Sequence, residues 1–243
     1  MFNTEFPIYG MMILLTLLVN IAVVVPVSKK YNFKKDEIIC LLLYENFGII
    51  YGAKILTFLH NFNALEGQFD FIALGMSSYG GLIGALLFLI LFSLQFKKPL
   101  KDMLYIFMPS IPIMYSIGKI GCFFSGCCYG IEYNGFGSVT YNYSLAAPAN
   151  IPLLPVQILE TIFFMVIFIF MIFKHKKNQF DLRTIGISFI LCSLSKFALD
   201  FLRHNTSSGF LSLNQILSIA FAIIGIGIIV IDTSSEPILA RKA

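Results

Sequence analysis

The feature that most constrains this chain is a series of apolar stretches about as long as a lipid bilayer is thick. Residues 162–173, for example, contain no polar side chain. The hydrocarbon core of a bilayer takes roughly 20 helical residues. The continuous runs are typical of helices and not of the alternating pattern of a membrane barrel. The sequence therefore predicts an all-α integral membrane protein with seven transmembrane helices, near residues 8–27, 38–60, 79–96, 103–125, 155–173, 184–202 and 212–231.

The composition excludes the other broad classes of protein. Hydrophobic residues make up 58% of the chain and charged residues only 12%, whereas an ordinary soluble domain has about 25% charged residues. A disordered chain would be far less apolar. No internal repeat is visible, so we expect residues 1–243 to form a single polytopic membrane domain. Its two longest connections, residues 61–78 and 126–154, are expected to lie at the outer face.

The positions of the basic residues predict the orientation. Thirteen of the 17 Lys and Arg residues follow the first, third and fifth apolar stretches or end the chain. Connections 61–78 and 126–154 contain none. Because cytoplasmic loops of membrane proteins are enriched in Lys and Arg, the amino terminus should face outward and the carboxyl terminus should be cytoplasmic. This topology accounts for the net charge of +4, and we expect no nucleic-acid partner.

Several ionisable residues lie within the apolar stretches or at their ends. An ionised side chain near the bilayer centre costs about 2.5 kcal/mol or more unless it is paired or hydrated. The excess of cations toward the outer face predicts a polar cavity that binds an anion, and the anion available there is a phospholipid head group. Structural salt bridges are the alternative, and an interfacial position for the arginine is another. The residues are Glu45, Lys54, Lys119, Glu160, Lys196, Asp200 and Arg203.

Small residues lie at two of the outer helix ends. Gly80 and Gly81 open the third stretch, where free backbone N–H groups suit a phosphate. Glycine pairs also let membrane helices approach closely, so packing and ligand binding both stay open for them. Gly118 and Gly121 precede a further glycine- and cysteine-rich segment, which suggests backbone pressed against another group.

Three cysteines cluster after the fourth stretch, and three roles are open for them. Cys122 with Cys127 or Cys128 is a plausible disulfide, because a bond between adjacent cysteines would be strained. A zinc site would need a fourth ligand, and the exterior histidines are His60 and His204. A catalytic thiol would need a base that the neighbouring sequence lacks. The spacing favours none of these roles, and we expect no metal and no cofactor.

Six ordered segments of the chain carry a family resemblance. The third segment reads Gly-Lys-Ile-Gly-Cys-Phe-Phe-Ser-Gly, and it is similar to the signature Gly-Arg-x-Gly-Asn-Phe-x-Asn-Gly of the prolipoprotein diacylglyceryl transferase family. The Lys-Phe-x-x-Asp-Phe-x-Arg segment of the sixth helix is similar to the family's Arg-Phe-x-x-Glu-Phe-x-Arg. The six segments are residues 43–56, 75–85, 118–130, 155–160, 196–203 and 212–218.

The resemblance implies a reaction and its partners. A diacylglyceryl group would pass from phosphatidylglycerol, an anionic phospholipid, to the cysteine thiol that follows a prolipoprotein signal peptide. The reaction would take place in the bacterial cytoplasmic membrane without a cofactor, and glycerol phosphate would be released. The resemblance assigns catalysis to Tyr79, Lys119 and Lys196. It assigns substrate binding to Gly80, Gly81, Gly118, Gly121, Glu160, Asp200 and Arg203.

The chain departs from the family pattern at its polar positions. Tyr79 replaces a histidine, and Lys54, Lys119 and Lys196 replace arginines. Lysine keeps the charge but loses the bidentate fork. Cys122 replaces an asparagine of the signature. The substitutions indicate a remodelled polar site, so a non-catalytic lipid-binding or scaffold paralogue and a membrane thiol protein are the rival interpretations.

Overall fold

The computed structural model describes residues 5–31, 33–62, 75–142, 144, 146–204 and 211–240. Eight α-helices and one pair of short strands are present in these ranges. The helices are α1 Glu5–Ser28, α2 Lys35–His60, α3 Ser78–Phe96, α4 Leu100–Phe107, α5 Ser110–Ser125, α6 Val156–Lys176, α7 Leu182–Asp200 and α8 Leu213–Ala240. The strands are β1 Val139–Thr140 and β2 Pro152–Leu153, and a 3₁₀ turn, Lys29–Tyr31, follows α1.

Seven segments are helical, long and apolar enough to cross a membrane, as predicted. The fourth segment differs from the prediction because it consists of two helices. Its helical hydrogen bonding is interrupted at residues 108–109, between α4 and α5. Pro109 precedes the first residue of α5, and proline has no backbone N–H with which to continue a helix. The composition of this stretch predicted one uninterrupted helix because hydropathy does not register the missing donor.

The residues form two compact units, which are described separately. The first unit comprises Met1–Asn20 with Met108–Ala243, and the second comprises Ile21–Phe107. The prediction of a single polytopic domain is not tested by this division and stays a prediction.

In the second unit, helices α2 and α3 pack through glycines. A Cβ atom added at Gly84 would lie 2.9 Å from the Cα of Gly52, and one at Gly48 would lie 2.9 Å from the Cβ of Phe88. Real Cβ atoms do not approach other heavy atoms this closely, so the two backbones touch only because these positions lack side chains. Helix α3 begins with Ser77 as its cap, whose hydroxyl oxygen accepts a hydrogen bond from the Gly80 backbone N–H at 3.3 Å.

In the first unit, polar contacts join α5 to α6. The Ser116 hydroxyl lies 3.2 Å from the Thr161 carbonyl, and the Thr161 hydroxyl lies 3.3 Å from the Ser116 carbonyl. Each hydroxyl is closer to a carbonyl of its own helix, that of Pro112 at 2.9 Å and that of Gln157 at 2.8 Å, so its one proton is shared between two acceptors. Helices α7 and α8 instead meet at glycines, since a Cβ added at Gly186 would lie 2.7 Å from the carbonyl oxygen of Gly225. These reciprocal contacts align Ser116 of α5 with Thr161 of α6, and this alignment places Lys119 and Glu160 within reach of each other.

The two long connections predicted from the sequence differ in how much of each the structure describes. Connection 126–154 contains β1 and β2, which pair antiparallel with Val139 opposite Leu153. It is tied to the end of α7, because the Ile131 N–H donates to the Leu202 carbonyl at 3.0 Å. The predicted connection 61–78 includes residues 63–74, which lie outside the described residues.

Candidate active site

The centre of the candidate site is an ion pair between α5 and α6. The Lys119 ammonium lies 2.5 Å from the Glu160 carboxylate, with only 8% and 3% of the two side chains exposed. Glu160 lies on α6 one residue before Thr161, which contacts Ser116 on α5. A buried pair of this kind is retained only when both charges are compensated. The sequence predicted both residues as site residues, and the structure places them in contact.

Tyr115 extends the pair to a third helix. Its hydroxyl donates to the other oxygen of Glu160 at 2.7 Å and accepts a hydrogen bond from the Lys196 ammonium, on α7, at 3.0 Å. The ammonium groups of Lys196 and Lys119 also lie 4.5 Å and 5.3 Å from the centre of the Tyr115 ring. Such distances permit cation–π attraction. One phenol therefore contacts two cations and one carboxylate.

Sequence reasoning missed Tyr115. The residue lies four positions before Lys119 and therefore on the same face of α5. This spacing of four residues from Lys119 is the sequence feature that could have identified Tyr115 as a site residue. It was overlooked because a tyrosine within an apolar stretch is most often a packing residue, and its ring does stack tilted on Phe164 with centroids 4.1 Å apart.

Asp200 is the last residue of α7, and Arg203 follows it three residues further on. The Arg203 guanidinium lies 3.7 Å from the Asp200 carboxylate, one helical turn away. The Asp200 carboxylate also accepts hydrogen bonds from the Ser212 hydroxyl and, at 3.3 Å, from the Asn214 amide. Asp200 is only 2% exposed, and these donors compensate its buried charge. The carboxylate thus joins the end of α7 to the start of α8.

The cluster has an excess of positive charge. Among the Lys, Arg and carboxylate groups, three cations and two carboxylates leave one positive charge when all five are ionised, before the neighbouring thiols of Cys122, Cys127 and Cys128 are counted. A phosphodiester carries one negative charge, so its arrival would neutralise the cluster. This balance is what an anion-binding cavity in a membrane requires, because a charge that stays uncompensated in low dielectric is costly. The five groups are Lys119, Lys196 and Arg203 with Glu160 and Asp200.

The glycines that the sequence predicted as site residues differ in what surrounds them. A Cβ added at Gly118 would meet no other atom within 4 Å, so there is open space beside α5 at this residue, while Gly121 is buried. Gly80, in contrast, packs on α2, where an added Cβ would lie 2.7 Å from the Cβ of Leu56. The Gly80 and Gly81 N–H groups both donate to Ser77. These contacts favour the packing alternative at Gly80 and Gly81, and their substrate-binding role stays a prediction.

The remaining predicted residues lie in the second unit. Tyr79 is the second residue of α3 and is 3% exposed. Lys54 and Glu45 are buried on α2. The structure therefore places Tyr79 in a different unit from Lys119 and Lys196, and its predicted cooperation with them in catalysis stays a prediction.

The three clustered cysteines converge at the end of α5. The sulfur atoms of Cys122, Cys127 and Cys128 all lie within 4.8 Å of one another, and all three thiols are free. The disulfide that the sequence left open is therefore not formed in this structure. Hydrogen bonds from the other two thiols hold the pKa of Cys128 well below its usual value. The Gln157 side-chain amide fixes the loop by donating to the Cys127 carbonyl at 2.8 Å.

These features define a class of protein: a helical chain with seven candidate membrane spans that holds a buried polar cluster with excess positive charge. The chain belongs to the prolipoprotein diacylglyceryl transferase family, whose family model matches residues 1–231. The family prediction made from the sequence is confirmed. The predictions of a transferase and of a place in lipoprotein biosynthesis are confirmed at the level of this family.

Similar proteins come from several bacteria. Phosphatidylglycerol–prolipoprotein diacylglyceryl transferase 2 of Clostridium perfringens is 28% identical over 224 residues, which cover 90% of this chain and 88% of the relative. The corresponding transferase of Clostridium tetani is 28% identical over 229 residues, covering 92% of each chain. That of Dehalococcoides mccartyi is 35% identical over 133 residues, covering 54% of this chain and 51% of the relative.

Proposed function

We propose that this protein transfers a diacylglyceryl group from phosphatidylglycerol to the cysteine thiol of a prolipoprotein. The observation that carries the proposal is the buried cluster at Tyr115, in which Lys119 and Lys196 contact one phenol and the excess charge is positive. The family membership of the chain supports the same reaction. A scaffold that had lost the chemistry would have little reason to bury both Lys119 and Lys196, because the burial of cations is costly.

The proposed reaction is a displacement at carbon. The thiol sulfur of the acceptor forms a bond to the terminal glycerol carbon of the diacylglyceryl group, and the bond from that carbon to the phosphate oxygen breaks. Glycerol phosphate leaves with the electron pair, and the proton of the thiol balances the charge that appears on the phosphate. Preorganised cations at the phosphate stabilise this developing charge. The transition state is therefore favoured by the cluster more than the diester is.

The cations have distinct proposed roles. Lys119 and Lys196 bind the phosphate and stabilise the leaving group, while Arg203 contacts it closer to the rim. Glu160 and Asp200 hold the cations in position when no lipid is bound. Lysine acts on phosphate as a point charge. Because a point charge does not impose an orientation of its own, we assign a positioning role to the Tyr115 hydroxyl: it accepts a hydrogen bond from the Lys196 ammonium and so holds that ammonium in place.

Open space beside Gly118 is the proposed path of the lipid to the cations, with Gly121 allowing close approach of the backbone. Gly118 is one residue from Lys119 and has no neighbouring atom in the direction of a side chain. In the second unit, Tyr79 is proposed to orient the reacting groups, since a tyrosine of pKa about 10 is a poor base at neutral pH but a good hydrogen-bond partner.

The proposed setting is the bacterial cytoplasmic membrane, with the amino terminus outside and the carboxyl terminus in the cytoplasm. The distribution of Lys and Arg supports this orientation. Labelling of an introduced cysteine tests it. Asn134→Cys, in the second long connection, should react with an impermeant maleimide in intact cells beyond the parental background. Lys177→Cys should react only after permeabilisation, and the reverse result would overturn the topology.

A direct assay tests the proposed reaction. Purified protein in nanodiscs that contain phosphatidylglycerol should convert a peptide with a lipobox cysteine to its thioether, detected by mass spectrometry. A peptide with serine at that position is the control and should stay unmodified. In cells, the gene should support growth after depletion of the resident prolipoprotein transferase. Binding of phosphatidylglycerol without any product would favour the scaffold interpretation and contradict the proposal.

A further inference from the structure

Three thiols come together in the first unit where the proposed reaction has no use for them. Cys122 is in the last turn of α5, and Cys127 and Cys128 follow it in the adjoining loop. The three sulfur atoms lie within 4.8 Å of one another. A zinc ion bound by thiolates at about 2.3 Å would hold tetrahedral sulfur ligands about 3.8 Å apart. Small side-chain rotations would therefore suffice to bring all three sulfurs into contact with one ion.

The backbone is built so that these thiols converge. Gly126 ends α5 in the left-handed conformation, with φ of 67°, and Cys128 has a φ of 57°, which is uncommon for a residue other than glycine. The Cys127 N–H donates to the Cys122 carbonyl at 3.1 Å, and Gln157 on α6 donates to the Cys127 carbonyl. The loop is thus held in a strained turn by polar contacts that do not involve any sulfur–sulfur bond. Strain of this kind is typical of functional sites.

The charges around the thiols suit a thiolate metal site. Three thiolates and one Zn²⁺ carry a net charge of minus one. The side chain of Lys119 interacts electrostatically with all three thiols, and Arg203 interacts with Cys128. These cations offset the negative charge of such a complex, whose three cysteines are partly exposed.

We propose that Cys122, Cys127 and Cys128 form a three-thiolate binding site for Zn²⁺. Thiolate ligands select soft or borderline ions, and a tetrahedral arrangement of sulfur favours zinc. Three protein ligands leave the fourth position open to water or to an external thiolate, as in zinc sites that are not purely structural. The sequence alone led us to expect no metal. The proposal does not depend on the transfer reaction, because metal binding is measured without lipid or peptide.

Zinc content and cobalt spectroscopy test the proposal. Untagged protein, purified in detergent under reducing conditions and freed of metal, should take up one Zn²⁺ per chain in a titration against a chromogenic chelator. Co²⁺ in its place should give sulfur-to-metal charge-transfer absorption and intense visible bands of a tetrahedral complex. Cys127→Ser and Cys128→Ser should each weaken zinc binding by at least about 100-fold, because loss of an outer partner alone costs 10- to 100-fold.

Two controls locate the ion. Cys40→Ser and Cys192→Ser remove cysteines that lie within α2 and α7, and both variants should bind zinc like the parent. In the parent protein, Zn²⁺ should protect Cys122, Cys127 and Cys128 from alkylation by N-ethylmaleimide while the reaction of Cys40 and Cys192 stays unchanged. This measurement needs no variant and is independent of any effect on folding.

Several results would overturn the proposal. Unaltered zinc affinity in Cys127→Ser would place the ion elsewhere, and alkylation unaffected by zinc would do the same. Another metal bound in preference to zinc would contradict the choice of ion. Reduced protein that takes up no zinc, together with oxidised protein in which two of these cysteines are linked, would assign the cluster to a disulfide. A protein that binds zinc but transfers no lipid would contradict the proposed reaction and support the zinc site.

Discussion

The α2–α3 pair of the second unit and the α5–α6–α7 cluster of the first use opposite means to join helices in an apolar chain. Helices α2 and α3 touch through Gly48, Gly52, Gly80 and Gly84, whose missing side chains let the backbones meet. Helices α5, α6 and α7 are joined by the Lys119, Glu160, Tyr115 and Lys196 side chains. The difference shows that α2 and α3 meet along their backbones, whereas α5, α6 and α7 are joined by side chains that bury charged groups between them.

The largest effect is expected where a charged bridge loses one member. Lys119→Ala leaves Glu160 buried without its 2.5 Å partner, and breaking a buried pair costs about 3–5 kcal/mol. Thermal unfolding in detergent should show a large fall in stability. The double variant Lys119→Ala/Glu160→Gln should recover part of it, because the unpaired charge is gone. Equal stability of Lys119→Ala and the parent would mean that the bridge does not hold α5 to α6.

A methyl group added at the glycine contact is expected to have the next largest effect. In Gly84→Ala the new Cβ would lie 2.9 Å from Gly52 Cα, and overpacking of this kind costs about 1–3 kcal/mol. Unfolding temperature is the measurement. Gly118→Ala is the matched control, since its Cβ enters open space and should not lower stability, because alanine is favoured over glycine within a helix. If the two variants were equally stable, glycine packing would not distinguish the two regions.

Removal of the Tyr115 hydroxyl tests how much the side-chain bridges of the α5–α6–α7 cluster contribute to lipid transfer. Tyr115→Phe loses the hydrogen bonds to Glu160 and Lys196, and a bond to a charged group is worth about 1.5–3 kcal/mol, or roughly 10- to 150-fold. The rate of lipid transfer should fall by at least about tenfold. Tyr51→Phe, on the exposed side of α2, should transfer at the parental rate. Full activity of Tyr115→Phe would show that the phenol only packs.

The smallest effect is expected for a partly exposed ion pair. Lys98 lies 2.9 Å from Glu37, with 26% and 20% of the two side chains exposed. Pairs of this kind are worth about 0–1 kcal/mol. Lys98→Ala should therefore change the unfolding temperature far less than Lys119→Ala. A comparable fall in both variants would contradict the argument that burial makes the Lys119 pair costly to break.

The sequence predicted the spans and much of the cluster because both depend on local composition. Apolar runs of sufficient length identify membrane helices, and charges within them identify Lys119, Glu160, Lys196 and Asp200. The interruption before Ser110 was missed, since it depends on a missing hydrogen-bond donor in a continuous apolar run.

Properties set by neighbouring helices were not predictable in the same way. Gly80 and Gly118 are the same residue type at similar helix ends, yet one packs on α2 and the other faces open space. Tyr115 acts through partners on α6 and α7 that are distant in the sequence. The convergence of Cys122 with Cys127 depends on the positive φ of Gly126. Each of these facts requires the tertiary contacts.

The measurement that tests the central claim most directly is lipid selectivity in the Lys196→Ala variant. Lys196 contacts Tyr115, so its removal tests the cation without directly breaking the Lys119–Glu160 bridge. Binding to nanodiscs of phosphatidylglycerol is compared with binding to nanodiscs of phosphatidylethanolamine. We predict that Lys196→Ala loses roughly 10- to 150-fold in affinity for phosphatidylglycerol and that Lys196→Arg retains most of it. Parental affinity and selectivity in Lys196→Ala would contradict the assignment of the phosphate site to this cluster.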